Sequence, residues 1–391
     1  MVSKSKLSPK LSKSIIEALQ KCSQCGKCRA ICPTFEYKNI ESYNERGRLM
    51  LYKAWNTGET EANQSFIDRI YTCLLCRVCE ETCPPKVRYM EIAEAVRGKL
   101  AEEGIGPVPE QKQAIEAIKK TGNVFGQETK LDEGPLAEFF SIPPKNADYY
   151  FFVGCMAGRN YVNLAKNAIL ILRAAGLTVG LDRDEKCCAG VAKLQGVEKD
   201  FSKIAAENVK HIESLMPKKI FTVCPMCYAA LKKEYPWTKS IQIQHATEVY
   251  AELISKRKIK PVKEVAAKVV FFDSCHLGRW SGVYDAPRVV LNSIPGLKLI
   301  ELERTKNLQR CCGGPIRVPW VDFRNEIAGK TLQEVESSGA EYLVTPCGTC
   351  LFNLQSVASA NFMEDLKIVD ISEVLAYSMG LIDKIPQYEF E

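Results

Sequence analysis

Cys22-Ser-Gln-Cys25-Gly-Lys-Cys28-Arg-Ala-Ile-Cys32-Pro33 returns as Cys73-Leu-Leu-Cys76-Arg-Val-Cys79-Glu-Glu-Thr-Cys83-Pro84, with the same spacings and the same closing proline. Thiolates are soft, anionic ligands that suit iron in sulfide clusters. Three cysteines at this spacing wrap three corners of a cube. The fourth, turned away beside a proline, reaches the neighbouring cluster. The expected ligand sets are therefore Cys22, Cys25, Cys28 and Cys83 for one [4Fe–4S] cubane, and Cys73, Cys76, Cys79 and Cys32 for the other. Apolar residues at spacings of three and four around Ile15–Leu19, Arg46–Trp55 and Tyr89–Leu100 predict a helical frame for both motifs.

The other ten of the 18 cysteines form a second pair of repeats. One reads Cys155-x31-Cys187-Cys188-x35-Cys224-x2-Cys227, the other Cys275-x35-Cys311-Cys312-x34-Cys347-x2-Cys350. No cysteine is left over. The flanks repeat as well: Phe151-Phe152 and Phe271-Phe272 precede the lead cysteines, and Gly158-Arg159 matches Gly278-Arg279 at an offset of 120 residues. A duplication of this length marks two copies of one structural unit.

Within each copy a short apolar strand, an amphipathic helix, a strand, a helix and a strand alternate. Strand candidates include Tyr149–Val153, Ile220–Val223 and Tyr342–Thr345, and Leu164–Arg173 is a helix candidate ended by Gly176. This order predicts an α/β unit with a largely parallel sheet, its cysteines at strand ends where open α/β sheets place their sites. The fold class is thus α/β with an N-terminal all-α ferredoxin-like domain. Residues 1–105 form that domain, and 106–148 are a linker carrying one helix near Gln111–Lys120. The two cysteine-rich domains occupy 149–265 and 266–391.

Composition narrows the function. With 391 residues, 26% charged and a net charge of +6, the chain reads as a globular protein of several domains. No basic tract interleaved with aromatics points to nucleic acid. No apolar run reaches the length of about 18 residues that spans a bilayer, and the N-terminus lacks the apolar core of a signal peptide. A cytoplasmic protein is expected, peripheral on a membrane only through a partner subunit, with Lys4, Lys6, Lys10 and Lys13 in a solvated lead-in to the first helix. Only His211, His245 and His276 are present, too few for haem or multi-histidine chemistry. No dinucleotide fingerprint or P-loop appears, so neither flavin nor nicotinamide is expected in this chain. Electrons must come from an electron-donating partner, a flavoprotein or a haem-bearing membrane subunit.

Each long motif has one cysteine more than a cubane needs, and adjacent cysteines do not fit two corners of a regular cube without strain. Five thiolates in two matching frames suggest an irregular, open cluster. Here the chain resembles the heterodisulfide reductases, through both five-cysteine motifs, Asp273-Ser274-Cys275-His276-Leu277-Gly278-Arg279 and Gly282-Val283-Tyr284. Over nearly its whole length it is similar to their D-type subunit, which joins a helical two-cubane domain to two cysteine-rich domains. The resemblance implies a non-cubane [4Fe–4S] cluster on Cys155, Cys187, Cys188, Cys224 and Cys227, and another on Cys275, Cys311, Cys312, Cys347 and Cys350. Facing each other, these would cleave a disulfide of the coenzyme M–coenzyme B type, as part of a hetero-oligomer suited to anaerobic life. Two departures fall beside the second cluster: Cys311-Cys312-Gly313-Gly314-Pro315 has a short glycine run, and its x34 spacer is one residue shorter.

Arg159 and Arg279, four residues past each lead cysteine, are candidates for anionic substrate groups, or helix-start arginines beside cluster charge. His276 is a candidate proton donor to a leaving thiolate, or a structural histidine. Two other functions share the architecture or the cysteines. One is an electron-transfer subunit of a glycolate, lactate or glycerol-3-phosphate dehydrogenase complex with no substrate of its own. The other is a zinc protein, which would leave the Cys-Cys pairs unexplained.

Overall fold

The computed structural model describes residues 10–363 and 365–386, so Lys4 and Lys6 lie outside the described residues. The N-terminal part is helical. Its longer helices are Lys13–Gln20, Glu45–Asn56, Gln64–Tyr71 and Tyr89–Glu102, of which the first, second and fourth cover the segments whose apolar spacing predicts them. Asn44 and Asn63 cap two of them by accepting from the amides of Gly47 and Phe66. Their inner faces bring Leu49, Tyr52, Trp55, Ile70, Ile92 and Val96 into one core.

Eight strands follow among the described residues: β1 (Tyr149–Phe151), β2 (Val179–Gly180), β3 (Lys219–Thr222), β4 (Gln242–His245), β5 (Lys268–Phe271), β6 (Lys298–Ile300), β7 (Tyr342–Thr345) and β8 (Lys367–Asp370). They form two parallel sheets of the same order, β2-β1-β3-β4 and β6-β5-β7-β8. Helices cover the sheets, as parallel strands require. In the first sheet Phe151 and Phe221 stack with ring centroids 4.5 Å apart, and Val162–Ala174 buries Leu164, Ala168, Ile169 and Leu172 on that core. The two repeats share one apolar core, since β1, β5 and β7 residues all belong to it.

The fourth strand of each sheet goes beyond the expected order of elements. Gln242-Ile-Gln-His245 carries one aliphatic residue, Ile243, and therefore lacks the apolar run that marks an inner strand. The linker also differs from a passive connector. Its helix, Pro109–Thr121, buries Ile115 and Ile118 against the first repeat, and Leu131, Leu136 and Phe139 enter the shared core.

The helical part is joined to both repeats. Arg97 donates to the carbonyl of Leu194 at 2.7 Å and to those of Ile70 and Cys73 at 2.8 Å. Trp280 donates to Leu75 O at 3.0 Å and Arg304 to Ile31 O at 2.9 Å.

Candidate iron–sulfur sites and a shared cavity

The two compact motifs fold alike. Gln24 and Leu75, each one residue before the second cysteine, have positive φ, as do Gly26 and Arg77 one residue after it. Glycine meets this requirement freely and arginine at a steric cost. The chain crosses between the motifs at Cys32, whose extended backbone leads into Pro33 at the start of a helix. As a result Cys22, Cys25, Cys28 and Cys83 surround one small cavity, and Cys32, Cys73, Cys76 and Cys79 surround another. Cys25 is exposed, whereas the second set is buried throughout.

Burial pushes the Cys28 thiol up to about 12 and Cys79 well above its usual range. Thiolates at such depth need a strongly cationic partner, which iron supplies. The surroundings are prepared for it. Tyr89 donates to Cys73 Sγ at 3.5 Å and the Val87 amide to Cys83 Sγ at 3.4 Å. Arg48 lies beside the second cavity and donates to the carbonyls of Tyr43 and Arg69 at 2.7 Å. Glu45 lines both cavities, and burial pushes it up to about 7.

In each parallel sheet the order reverses between the first strand and its two neighbours, so ligands gather at the carboxyl ends of those strands. Cys155 and Cys224 follow β1 and β3, and Cys275 and Cys347 follow β5 and β7. All ten cysteines of the long motifs, five from each repeat, line one cavity of about 480 Å³. Cys155 and Cys224 are half-buried and the other eight are buried.

Glycines and carboxylates shape the thiol-bearing loops. A Cβ on Gly154 (φ +76°) would sit 3.1 Å from Cys227 Sγ, and one on Gly314 would sit 3.4 Å from Cys312 Sγ. The Glu185 carboxylate accepts from the amides of Val153 and Gly154, both at 2.8 Å. In the second repeat Arg288 clamps Asp273 at 2.9 and 2.8 Å, and Asp273 accepts from the Lys306 amide at 2.8 Å. An asparagine supports each Cys-Cys turn: Asn208 donates to Cys187 O at 3.0 Å, and Asn353 donates to Cys312 O. Cys188 and Cys227 Sγ are 3.4 Å apart and remain free thiols. Hydrogen bonds from Cys187 and Cys227 hold Cys188 well below its usual range, and those from Cys311 and Cys350 do the same for Cys312. Ten thiols around one space, with glycines beside them, fit clusters of several irons.

His276 is the histidine that lines this cavity. Its Nδ1 is 3.4 Å from Cys275 Sγ, and its ring stacks on Trp280 with centroids 5.3 Å apart. The paired arginines, Arg159 and Arg279, stand apart from it. Neither lines the cavity. Arg159 sits in the π turn Met156–Asn160. Arg279 is buried and donates to backbone carbonyls, at 2.5 Å to Cys76 and 2.7 Å to Gln309. The two repeats thus use one motif position differently, because only the second packs on the helical part here. Cys76, Cys275 and Cys311 belong to one buried cluster, so the second compact site abuts the second repeat's site.

Sequence reasoning missed Glu45, Gln111 and Arg317. Arg317 and Gln111 line the large cavity. Arg317 follows the second Cys-Cys pair by five residues, a signal that the sequence does carry. Nothing in the linker sequence indicates that Gln111 faces cysteines so distant along the chain.

The family model described as "Cysteine-rich domain" matches residues 149–232 and 269–355, and that described as "4Fe-4S dicluster domain" matches 18–87. The D-type subunit of the dihydromethanophenazine:CoB–CoM heterodisulfide reductase of Methanosarcina mazei is 30% identical, over 94% of this chain and 95% of that protein. The EtfAB:quinone oxidoreductase of Syntrophomonas wolfei is 28% identical over 92% of this chain, which spans 58% of that longer protein. A crystal structure of a hypothetical protein from Helicobacter pylori shares the fold with a TM-score of 0.59 at 12% identity, covering 95% of this chain and 73% of that one. No helix among the described residues is long and apolar enough to cross a membrane.

Proposed function

The chain belongs to the family of the heterodisulfide reductase D-type subunits, iron–sulfur oxidoreductases, and from that premise we propose that it is the catalytic subunit of a complex that reductively cleaves a small disulfide to two thiols. One observation carries this reading: ten thiols from two duplicated frames line a single cavity. A relay needs no second set of five ligands around the same space. The balanced reaction is RS–SR′ + 2e⁻ + 2H⁺ → RSH + R′SH, with electrons supplied by a partner subunit, a flavoprotein or a haem-bearing membrane protein. A substrate of the coenzyme M–coenzyme B type is the leading candidate, as the name of the Methanosarcina relative suggests.

In this reading Cys22, Cys25, Cys28 and Cys83 hold one cubane, and Cys32, Cys73, Cys76 and Cys79 the other. The two groups of five hold the non-cubane clusters. When bound, the clusters supply electrons singly and iron that stabilises sulfur as thiolate. The protein's own part is positional. Exposed Cys25 puts the first site within reach of a partner, and the buried cluster that holds Cys76, Cys275 and Cys311 joins the second site to the cavity. Met156, Met226 and Val318 give the cavity an apolar lining, and His276 delivers a proton to one product sulfur.

The alternative is an electron-transfer subunit for a flavoprotein, favoured by the likeness to the EtfAB:quinone oxidoreductase. An anoxic assay of the iron-replete protein with reduced viologen and the coenzyme M–coenzyme B disulfide separates the two. Catalysis predicts two viologens oxidised and two thiols released per disulfide, and loss of thiol release in Cys188→Ala and Cys312→Ala. A relay predicts no thiol release with any disulfide, together with cluster reduction by a reduced flavoprotein.

A further inference from the structure

Of the 18 cysteines, all of them described, Cys25 alone is exposed. The chain around it is one-sided in charge. Residues 18–35 and 83–90, which bring Cys22, Cys25, Cys28 and Cys83 to the first compact site, carry Lys21, Lys27, Arg29, Lys86 and Arg88 and neither aspartate nor glutamate. These five cations are all exposed. Lys27 lines the site itself, and Lys86 follows Pro84 and Pro85, which also line it. Arg88 pairs with Glu91 at 2.9 Å, whereas Lys21, Lys27 and Lys86 pair with no carboxylate among the described residues. Arg29 is held over the Phe35 ring at 4.8 Å. Nearby carboxylates are occupied or hidden: Arg46 engages Glu41 at 2.6 Å, and Glu45 is buried.

Cluster charge alone does not call for these lysines. The second compact site also has four cysteines, all buried. The cations that line it are Arg48, which is buried, and Arg77, which is tied to Glu80 at 2.9 Å. Charges in water are well screened from a buried centre, but they act on a charged body approaching through solvent. Such steering raises encounter rates by about 10–10³-fold. Unpaired lysines around the exposed edge of a redox site therefore serve an encounter.

We propose that this basic rim is the docking face for the electron-donating partner, and that the partner is a protein presenting carboxylates around its own redox centre. This rests on reading Cys22, Cys25, Cys28 and Cys83 as the ligands of the cubane through which electrons enter. Lys21, Lys27 and Lys86 pair with the donor's carboxylates and hold its centre against Cys25. Each encounter moves one electron from donor to cubane, with no bond made or broken.

The probe is a small acidic flavodoxin in its hydroquinone state, used native and after amidation of its carboxylates to neutral groups. Giving up one electron converts the hydroquinone to the semiquinone. Stopped-flow absorbance on the anoxic, iron-replete protein yields the second-order rate, and freeze-quenched electron paramagnetic resonance shows whether the N-terminal centres receive the electron. At about 10 mM ionic strength, where charges reach about 30 Å, the native donor should react about tenfold faster than the amidated one or more. At about 1 M, where the reach falls to about 3 Å, the two rates should converge. The triple variant Lys21→Glu, Lys27→Glu, Lys86→Glu should erase the native donor's advantage and its salt dependence, and the corresponding glutamine variant should fall between. The control is Arg257→Glu, Lys258→Glu, Lys260→Glu, at exposed positions beyond the helix Ala246–Ser255, which leads away from the carboxyl end of β4. It changes the net charge equally and should behave as wild type. Iron content and absorption spectra equal to wild type establish that each variant is folded and loaded.

Equal rates for the two donors at low salt, or the same loss in the control as in the lysine variant, would overturn the docking face. Binding to phosphatidylglycerol vesicles that the lysine variant abolishes, with donor rates unchanged by it, would reassign the face to a membrane surface. Lysine-dependent association with the flavodoxin, with no electron reaching the N-terminal centres, would uphold the face and remove the entry reading. Salt-independent reduction of those centres by both donors would do the opposite.

Discussion

Arg279 Nε donates to the main-chain carbonyl of Cys76 at 2.5 Å, across 203 residues of sequence. The same guanidinium reaches the carbonyls of Asn307 at 3.3 Å and Gln309 at 2.7 Å, just ahead of the Cys311-Cys312 pair. One side chain thereby fixes a loop of the helical part against a loop of the second repeat, where Cys76 and Cys311 share one buried cluster. Arg279→Leu should lower stability by about 2–4 kcal/mol, because it leaves buried carbonyls unpaired. It should also slow reduction of the cavity centres relative to the N-terminal ones by about tenfold or more. Stopped-flow absorbance with freeze-quenched electron paramagnetic resonance reads both rates. Equal rates in the variant would remove the bridge from the electron path.

The Asp273–Arg288 pair holds the Cys275 loop. Its side chains are 2% and 10% exposed, and Asp273 also accepts from the Lys306 amide. Removing one partner from a buried pair strands the other charge, at a cost of about 3–5 kcal/mol. Arg288→Met should therefore lower the melting temperature clearly, with iron lost from the second repeat first. A melting curve matching wild type would contradict this.

Gly154 stands at φ +76°, and an added Cβ there would lie 3.1 Å from Cys227 Sγ. Gly154→Ala adds left-handed strain of about 1–2 kcal/mol and pushes that thiol aside. Iron should fall by about four atoms of roughly sixteen, while the N-terminal centres keep their spectra. Full iron content would show that the loop yields without losing its ligands.

Much of this is legible in the cysteine spacing. The crossed grouping of Cys32 with the second motif and Cys83 with the first follows from a proline that turns each fourth cysteine away. The strands that lead into Cys155, Cys224, Cys275 and Cys347 are apolar and short, and their sequence marks them as such. Strand β4 is hidden, because Gln242 and Gln244 mask its alternation. Arg279 misleads because local sequence makes it the twin of Arg159, and only tertiary packing separates them. Gln111 lies beyond reach for the same reason: its environment comes from chain segments far from its own.

Glu94, on the helical part, sits 3.9 Å from Lys193 of the first repeat, which also pairs with Glu198 at 3.0 Å and Glu234 at 3.6 Å. Burial pushes Glu94 up to about 7, against an ordinary 4.5, despite Lys193. Between these values the folded protein binds more protons than the unfolded chain, so stability falls as pH rises through that window. Below about 4.5 the contribution is fully present, and above about 7 it is gone. Glu94→Gln should flatten this part of the pH profile in thermal melts of the iron-replete protein. An unchanged slope would mean that Glu94 titrates normally.

The central claim is that the five-cysteine frames hold open clusters unlike the N-terminal cubanes. Mössbauer spectroscopy of anoxically purified, iron-enriched protein, scaled to iron per chain, tests it most directly. The account predicts about sixteen irons in two equal populations, one of ordinary cubanes and one with distinct iron sites that is lost in the Cys188→Ala, Cys312→Ala double variant. A single cubane population, or about eight irons with none assigned to the C-terminal cavity, would contradict it.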